Sequence, residues 1–265
     1  MRNPFFIIGS SANALMSSLN KASKLFARTM YWMIIGPFRR KFVSGEYIFE
    51  QMVFVGVRSL SIVFFVTFFT GVVLAMQSAY QLSKLGATMY VAGLVSVSMA
   101  RELAPVLTAL VVAGRVGAAI TAQIGSMQVT EQIEALDTMA LDPVRFLVVP
   151  RFLALLIMVP ALTVFGDLMG NIGGYLIGVF NLKIGSALYI DIAFQFLVLK
   201  DIYTGIFKAF VFGGIIALVS CYQGLNTTGG AEGVGRSTTV SVVTSFILVI
   251  LADCVLTGIF YFSNM

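Results

Sequence analysis

The chain has 265 residues, 58% of them hydrophobic and 11% charged, with a mean hydropathy of +0.96. A water-soluble core cannot hide so much apolar surface, so the composition specifies an integral membrane protein whose solvent is the bilayer. The formal charge of +5 suits loops against an anionic leaflet better than nucleic-acid binding, and the absence of histidine removes His-ligated haem or metal sites and Ser-His or Cys-His catalysis.

Near the start only "FFII" is a continuous apolar run, too short for the hydrophobic region of a signal peptide. Residues 11–35 are expected to form an amphipathic helix. Leu15, Leu19, Ala22, Phe26, Met30 and Met33 recur at three- and four-residue steps, while Ser18, Lys21, Lys24 and Arg28 occupy other faces. A basic helix ending in Tyr31 and Trp32 suits an in-plane position at the membrane interface; packing on the protein's own body is the alternative. The basic "FRRKF" marks a cytoplasmic flank. Residues 1–50 are thus set apart from a membrane domain over 51–265.

The first span is expected at residues 56–82, because a bilayer core needs about 20 apolar residues. The next apolar stretch, residues 89–124, is longer than a straight span requires and contains Arg101, Glu102, Pro105, Gly114, Arg115 and Gly117. One long helix kinked by Pro105 is expected, with a re-entrant pair of short helices as the alternative.

An acidic segment follows, "VTEQIEALDTMALDPVRF". The chain has only 12 acidic residues, yet Glu131, Glu134, Asp137 and Asp142 fall close together here. Glu131, Glu134 and Asp137 step by three along a helix, and Ile133, Leu136 and Ala140 make an apolar edge. Asp142-Pro143 is expected to end that helix, since the residue before proline avoids helical geometry. Such a surface can dock a soluble partner or can simply be a solvated connector.

The third span is placed at 146–179. Gly166, Gly170, Gly174 and Gly178 form one stripe at four-residue spacing, which predicts close approach of another helix, of the same chain or a second one. Residues 180–201 read as an extramembrane loop with an interfacial helix, and the last two spans fall at 202–222 and 240–262. Between them "QGLNTTGGAEGVGRSTT" reads as a flexible cytoplasmic turn; no strand precedes its glycines, and no GxxxxGK[ST] phosphate loop occurs anywhere. Cys221 and Cys254 lie in apolar stretches and read as buried small hydrophobes.

Positive charge orients the chain. With the N-terminus inside, the inner side collects Arg2, Lys21, Lys24, Arg28, Arg39, Arg40, Lys41, Arg145, Arg151 and Arg236; the outer side holds Lys84, Lys183 and Lys200. Five spans then put the N-terminus in the cytoplasm, the C-terminus in the periplasm and the acidic segment on the cytoplasmic face. Within the spans, Arg101, Glu102, Arg115, Lys208 and Asp253 are costly in hydrocarbon and should face a cavity, a partner charge or a substrate path. Arg101 and Glu102 point about 100° apart on a helix, so one can line a cavity while the other pairs with a neighbouring helix.

"ARELAPVLTALVVAGRVGAAITAQIGSMQVTEQIEALDTMALDPVRFLVVPR", "GAEGVGRSTTVSVV" and "LADCVLTGIFY" together resemble the MlaE/YrbE family of ABC-transporter permeases, over roughly residues 50–262. The resemblance implies an all-α integral membrane protein: an N-terminal interfacial amphipathic helix plus five transmembrane helices, with a cytoplasmic coupling helix between the second and third spans. It implies a homodimer in a bacterial inner membrane, two cytoplasmic ATPase subunits, a small cytoplasmic accessory subunit and a periplasmic MCE-domain protein, moving phospholipid and serving outer-membrane lipid asymmetry. ATP and Mg would belong to the ATPase, leaving this chain without cofactor, metal or catalytic residue.

By motif, the coupling helix maps to residues 131–139, where Glu131, Gln132, Glu134, Ala135, Asp137 and Met139 would meet the ATPase. Arg101 and Glu102 of "ARELAP", Lys208 of "IFKAF" and Asp253 of "LADCVL" fall near the implied lipid path. Ala104 stands where some relatives have glycine. Two rival classes are a channel or small-solute carrier, and an intramembrane enzyme; the latter would need an activated nucleophile or a carboxylate metal cluster, and the acids here are scattered.

Overall fold

The computed structural model describes residues 16, 20–35 and 45–262, and among them there is no strand. Among the described residues five helices are long and apolar enough to cross a membrane, as the hydropathy pattern predicts. Helix α1 covers residues 20–35; the rest of the expected N-terminal helix and "FRRKF" lie outside the described residues. Leu25, Trp32 and Met33 of α1 pack on the protein's core, while Phe26, Tyr31 and Ile34 stay exposed.

The first span is longer than the apolar run alone suggests. Helix α2 (Gly45–Val55) leads through a tight turn, Val57–Ser59, into α3 (Leu60–Ser83). Residue 50, where the sequence reading divides the chain, lies inside α2. At Gly56 a Cβ would sit 2.0 Å from Met158 Cε, so the bend brings this span close to the third.

Helix α4 (Thr88–Val129) is a single unbroken rod, so the re-entrant alternative does not form. Its irregularity is two π-helical turns, Met99–Leu103 and Ala113–Gly117. The first comes immediately before Pro105. There the ladder tolerates a missing N–H, because one wide turn already shifts the pairing from i−4 to i−5.

Helix α5 (Gln132–Thr138) is the short acidic one. It ends earlier than Asp142-Pro143 predicts. Ala140 adopts a left-handed φ of 57°, Leu141 N donates to Leu136 O at 3.0 Å and Ala140 N to Asp137 O at 3.0 Å. That pair of bonds closes the helix as a Schellman turn, with alanine in the place glycine usually takes. Ala140 is exposed, so the apolar edge of α5 is Ile133 and Leu136 alone. Asp142 serves the next helix instead: its Oδ1 accepts Val144 N at 2.9 Å, where α6 (Val144–Asn181) begins.

The glycine stripe of α6 packs inside the chain. A Cβ on Gly166 would meet Thr67 Cγ2 at 3.0 Å, one on Gly170 would meet Met99 Cε at 2.1 Å, and one on Gly174 would meet Val95 Cγ1 at 2.7 Å. At Gly178 the obstacle is the Tyr189 ring, 2.2 Å away, on α7 (Ser186–Phe196), the short helix expected in the 180–201 loop. From the other side, a Cβ on Gly71 of α3 would lie 2.0 Å from Gly170 O. Lipid tails are as apolar as leucine, so helices associate by van der Waals fit, and only glycine permits backbones this close.

Helices α8 (Leu199–Leu225) and α9 (Gly230–Phe262) complete the bundle. The core lies between α3, α4, α6 and α8, around Val63, Val112, Leu155, Leu162, Phe212 and Ile216. The glycine-rich connector corrects the expectation of a flexible turn: only residues 226–229 are non-helical, and Gly230 onward is the start of α9. Glycine costs about 1 kcal/mol per helical position relative to alanine. The glycines open a helix that packs on α4 and α8 further along, where Thr121 Oγ1 donates to Ser241 Oγ at 2.8 Å. The opposite face of α9, with Val243, Ile247, Leu251, Val255 and Ile259, is exposed.

Candidate functional site

Lys208 is the most buried charged residue among the described residues, at 2% exposure, and it stands about 13 Å along α8 from that helix's first residue. An ammonium at such depth must be matched by anions or it would not stay charged. Two glycine- and proline-dependent features put it there. Gly205, one turn earlier, lets α8 press against α4: a Cβ there would lie 2.2 Å from Ala100 O. Pro105 has no N–H to offer Arg101 O four residues back, and Lys208 Nζ donates to that oxygen at 3.2 Å.

The remaining Lys208 partners come from two helices. Nζ lies 2.5 Å from Glu102 Oε2 on α4 and 2.9 Å from Asp253 Oδ1 on α9, and it donates to Thr257 Oγ1 at 2.7 Å. Thr257 Oγ1 in turn donates to Glu102 Oε1 at 3.1 Å. Beside this knot, Arg101 Nε donates to Asp201 Oδ1 at 2.6 Å. Asp201 is buried in the first turn of α8, where its Oδ2 also accepts Val198 N at 3.2 Å. All four residues singled out from sequence, Arg101, Glu102, Lys208 and Asp253, therefore meet in one place. The consecutive pair divides as helix geometry requires, but both members find partners and both line the cavity.

That cavity, about 110 Å³, is lined by Arg101, Glu102, Lys200, Asp201, Thr204, Lys208, Thr257 and Phe260. The Arg101 side chain is 54% exposed and that of Glu102 39%, so the charged rim is open while Lys208 is not. Lys200, Thr204 and Phe260 also border a larger apolar groove of about 810 Å³, lined by Tyr203, Phe207 and Phe210. The cavity wall carries three cations, Arg101, Lys200 and Lys208, and two carboxylates, Glu102 and Asp201; a third carboxylate, Asp253, pairs with Lys208 from outside the lining. A charged polar cavity thus adjoins an apolar, aromatic-walled groove, a combination that has room for both a polar and a hydrocarbon part of one molecule. No cluster among the described residues has the ligand set of a metal site.

Sequence reasoning missed Asp201 and Thr257. Both left signals: Asp201 is an acid in the first turn of a helix at the same end as Arg101, and Thr257 lies one helical turn beyond Asp253. Arg115 is not part of the cluster. It braces the bend of the first span, donating to Phe54 O at 3.2 Å and Ser59 Oγ at 2.7 Å. Asp167, an acid within α6 that the sequence reading passed over, also stands apart, its Oδ1 without a hydrogen-bond partner among the described residues.

At the opposite end, α5 presents a fixed and exposed charged face. Ile133 is 7% exposed and Leu136 half-buried against the core, which fixes the helix, while Glu131, Gln132, Glu134, Ala135, Asp137 and Met139 face outward. Met139 is 69% exposed, an apolar tip among carboxylates. Asp142 is not on this face. Its Oδ2 accepts Trp32 Nε1 at 2.6 Å and lies 3.0 Å from Arg28 Nη2, tying α1 to the start of α6.

Comparison with known proteins agrees with this architecture. The family described as "Permease MlaE" matches residues 48–259. A probable ABC transporter permease protein of Rickettsia bellii is 46% identical over 254 residues, covering 96% of each chain. A probable ABC transporter permease protein of Synechocystis is 43% identical over 80% of this chain and 81% of its own. The chloroplastic protein TRIGALACTOSYLDIACYLGLYCEROL 1 of Arabidopsis thaliana is 36% identical over 80% of this chain and 61% of its own.

Proposed function

The chain belongs to the MlaE family of ABC transporter permeases, and we propose that its cargo is phospholipid. On this reading it acts as a homodimer in a bacterial inner membrane, N-terminus in the cytoplasm and C-terminus in the periplasm. An MCE-domain protein in the periplasm exchanges lipid with it. Two ATPase subunits, with a small accessory subunit beside them, dock on α5 and supply ATP hydrolysis with their own Mg.

The observation that carries the cargo assignment is the union of the Arg101–Glu102–Lys208–Asp253 cluster with the Phe207 and Phe210 groove. A headgroup phosphate suits the exposed Arg101 guanidinium, which can bind it in a two-pronged fashion, and acyl chains suit the aromatic groove. The name of the Arabidopsis relative is that of a diacylglycerol glycolipid, which supports lipid as the class. The sequence holds no GxxxxGK[ST] phosphate loop, which fits an ATPase supplied by a partner. The charged, fixed, outward face of α5 supports its role as the coupling helix, and the exposed apolar face of α9 supports pairing with a second copy.

The experiment is purification of the intact complex from bacterial membranes, with its lipids and proteins identified. Phospholipid, an ATPase and an MCE-domain protein should co-purify. A chain recovered with an ATPase but with no bound lipid, and with small-solute flux in vesicles, would overturn the cargo assignment. Reporter fusions check orientation: those after Asp142 and Arg236 should read cytoplasm, and those after Leu85 and Leu188 periplasm.

A further inference from the structure

The end of the molecule that carries α5 holds a second pair of cavities, far along α8 from the Lys208 cluster. One, about 290 Å³, lies between α1 and the last turn of α8; Lys21, Lys24 and Arg28 line it from α1, opposite Tyr222 and Asn226. The other, about 510 Å³, is apolar. Phe26 of α1 covers it, and Ile215, Leu218 and Val219 of α8 with Leu248 of α9 form its walls. Tyr222 borders both cavities. From Tyr222 to Ile215 is about 10 Å of helix, so the apolar cavity runs from the interface well into one leaflet's hydrocarbon.

The three cations are not equivalent. Arg28 is committed to Asp142 at 3.0 Å, whereas Lys21 and Lys24 have no ion-pair partner among the described residues. Spaced three apart, they share one face of α1. Two uncompensated ammonium groups beside a tyrosine, with a hydrocarbon slot on the tyrosine's other side, complement one chemistry: an anionic head carrying an acyl chain. Basic pockets between helices on the positively charged side of a membrane protein select such lipids from the anionic leaflet.

We propose that α1, α8 and α9 form a binding site for an anionic phospholipid of the leaflet on the α5 side, distinct from the proposed transport path and independent of its cargo. The phosphate lies against Lys21, Lys24 and Tyr222, and one acyl chain fills the groove beneath Phe26. The bound lipid fastens α1 to α8 and α9. Because Trp32 and Arg28 also hold Asp142 at the start of α6, the lipid sets how firmly α1 restrains the segment that follows α5.

The test uses the full chain in phosphatidylcholine nanodiscs doped with a photoactivatable phospholipid that carries a diazirine midway along one acyl chain. A phosphatidylglycerol probe should label the groove at Ile215, Leu218, Val219 or Leu248, and unlabelled phosphatidylglycerol should compete. The double variant Lys21→Gln/Lys24→Gln should lower that labelling by up to about thirtyfold, a loss that added salt mimics in the wild type. Labelling at Phe207 and Phe210, at the other end of α8, should not change and serves as the folding control. Leu218→Trp should block groove labelling by filling the slot while leaving α1 attached. Equal labelling by phosphatidylcholine and phosphatidylglycerol probes, unchanged in the double variant, would overturn the proposal and make the groove ordinary annular surface. So would absence of lipid label together with crosslinking between two copies through Leu248, which would mean that a second chain covers the groove.

Discussion

Replacing Lys208 by methionine removes the centre of the ion-pair cluster, and its cost can be worked from the contacts. The ammonium has Glu102 at 2.5 Å, Thr257 at 2.7 Å, Asp253 at 2.9 Å and Arg101 O at 3.2 Å. Methionine fills the volume but leaves two carboxylates facing each other and a carbonyl with no donor. Removing one partner of a fully buried pair costs about 3–5 kcal/mol in soluble proteins. Here the acceptors are 39% and 22% exposed and can take up water, which places Lys208→Met at the lower end, about 3 kcal/mol. Glu102→Gln is milder. The amide still accepts from Lys208, and Asp253 remains as counter-ion, so about 1 kcal/mol is expected.

The double variant Lys208→Met/Glu102→Gln removes one of the two orphaned carboxylates. It should be more stable than Lys208→Met alone, with a coupling of about 1–2 kcal/mol. Detergent-titration unfolding of the purified chain measures all four members of the cycle, and bound lipid is quantified on the same samples. Glu102→Gln should fold and hold a different amount of lipid. A Lys208→Met protein as stable as the wild type, or a double variant whose loss equals the sum of the singles, would refute the ion-pair argument. Lost stability in Glu102→Gln with unchanged lipid would refute its place on the lipid path.

The glycine stripe makes a graded prediction: Gly71→Ala, whose methyl would strike Gly170 O at 2.0 Å, should destabilise by roughly 1–3 kcal/mol, whereas Gly170→Ala meets a movable Met99 side chain and should cost less. Gly170→Leu and Gly174→Leu should both lower the yield of folded protomer, read by size-exclusion chromatography, and folded but unpaired protomers would instead point to a contact between chains. Reversing Glu131 and Glu134 to Lys should leave insertion intact yet reduce ATPase co-purification or uncouple hydrolysis from transport, and normal values of both would remove α5 as the docking face. Asp142→Ala should release Trp32, the chain's single tryptophan, and shift its emission to longer wavelength; an unchanged spectrum would mean that α1 is held by packing alone.

Sequence alone determined the five spans, because the cost of exposing polar groups to hydrocarbon writes membrane helices as long apolar runs. It also marked Arg101, Glu102, Lys208 and Asp253, because a charge at that depth is too expensive to be incidental. The acidic helix was legible for the converse reason: Glu131, Glu134 and Asp137 cannot be in the membrane. What a run of residues cannot carry is which helices become neighbours. Only the tertiary structure decided that Lys208 is the buried hub, that Arg101 turns to Asp201, and that the glycines of α6 meet α3, α4 and α7 of the same chain. The errors have the same origin. Glycines at 230–235 are poor helix formers by local propensity, yet they are the first turns of a 33-residue helix whose later part packs on α4 and α8. Asp142-Pro143 stops a helix by local rules, yet Ala140 had already closed α5, leaving Asp142 to start α6 and hold α1. Hydrophobic burial and charge cost are properties of each residue and survive in one dimension; pairing is a property of two residues about a hundred positions apart, fixed only when the helices pack.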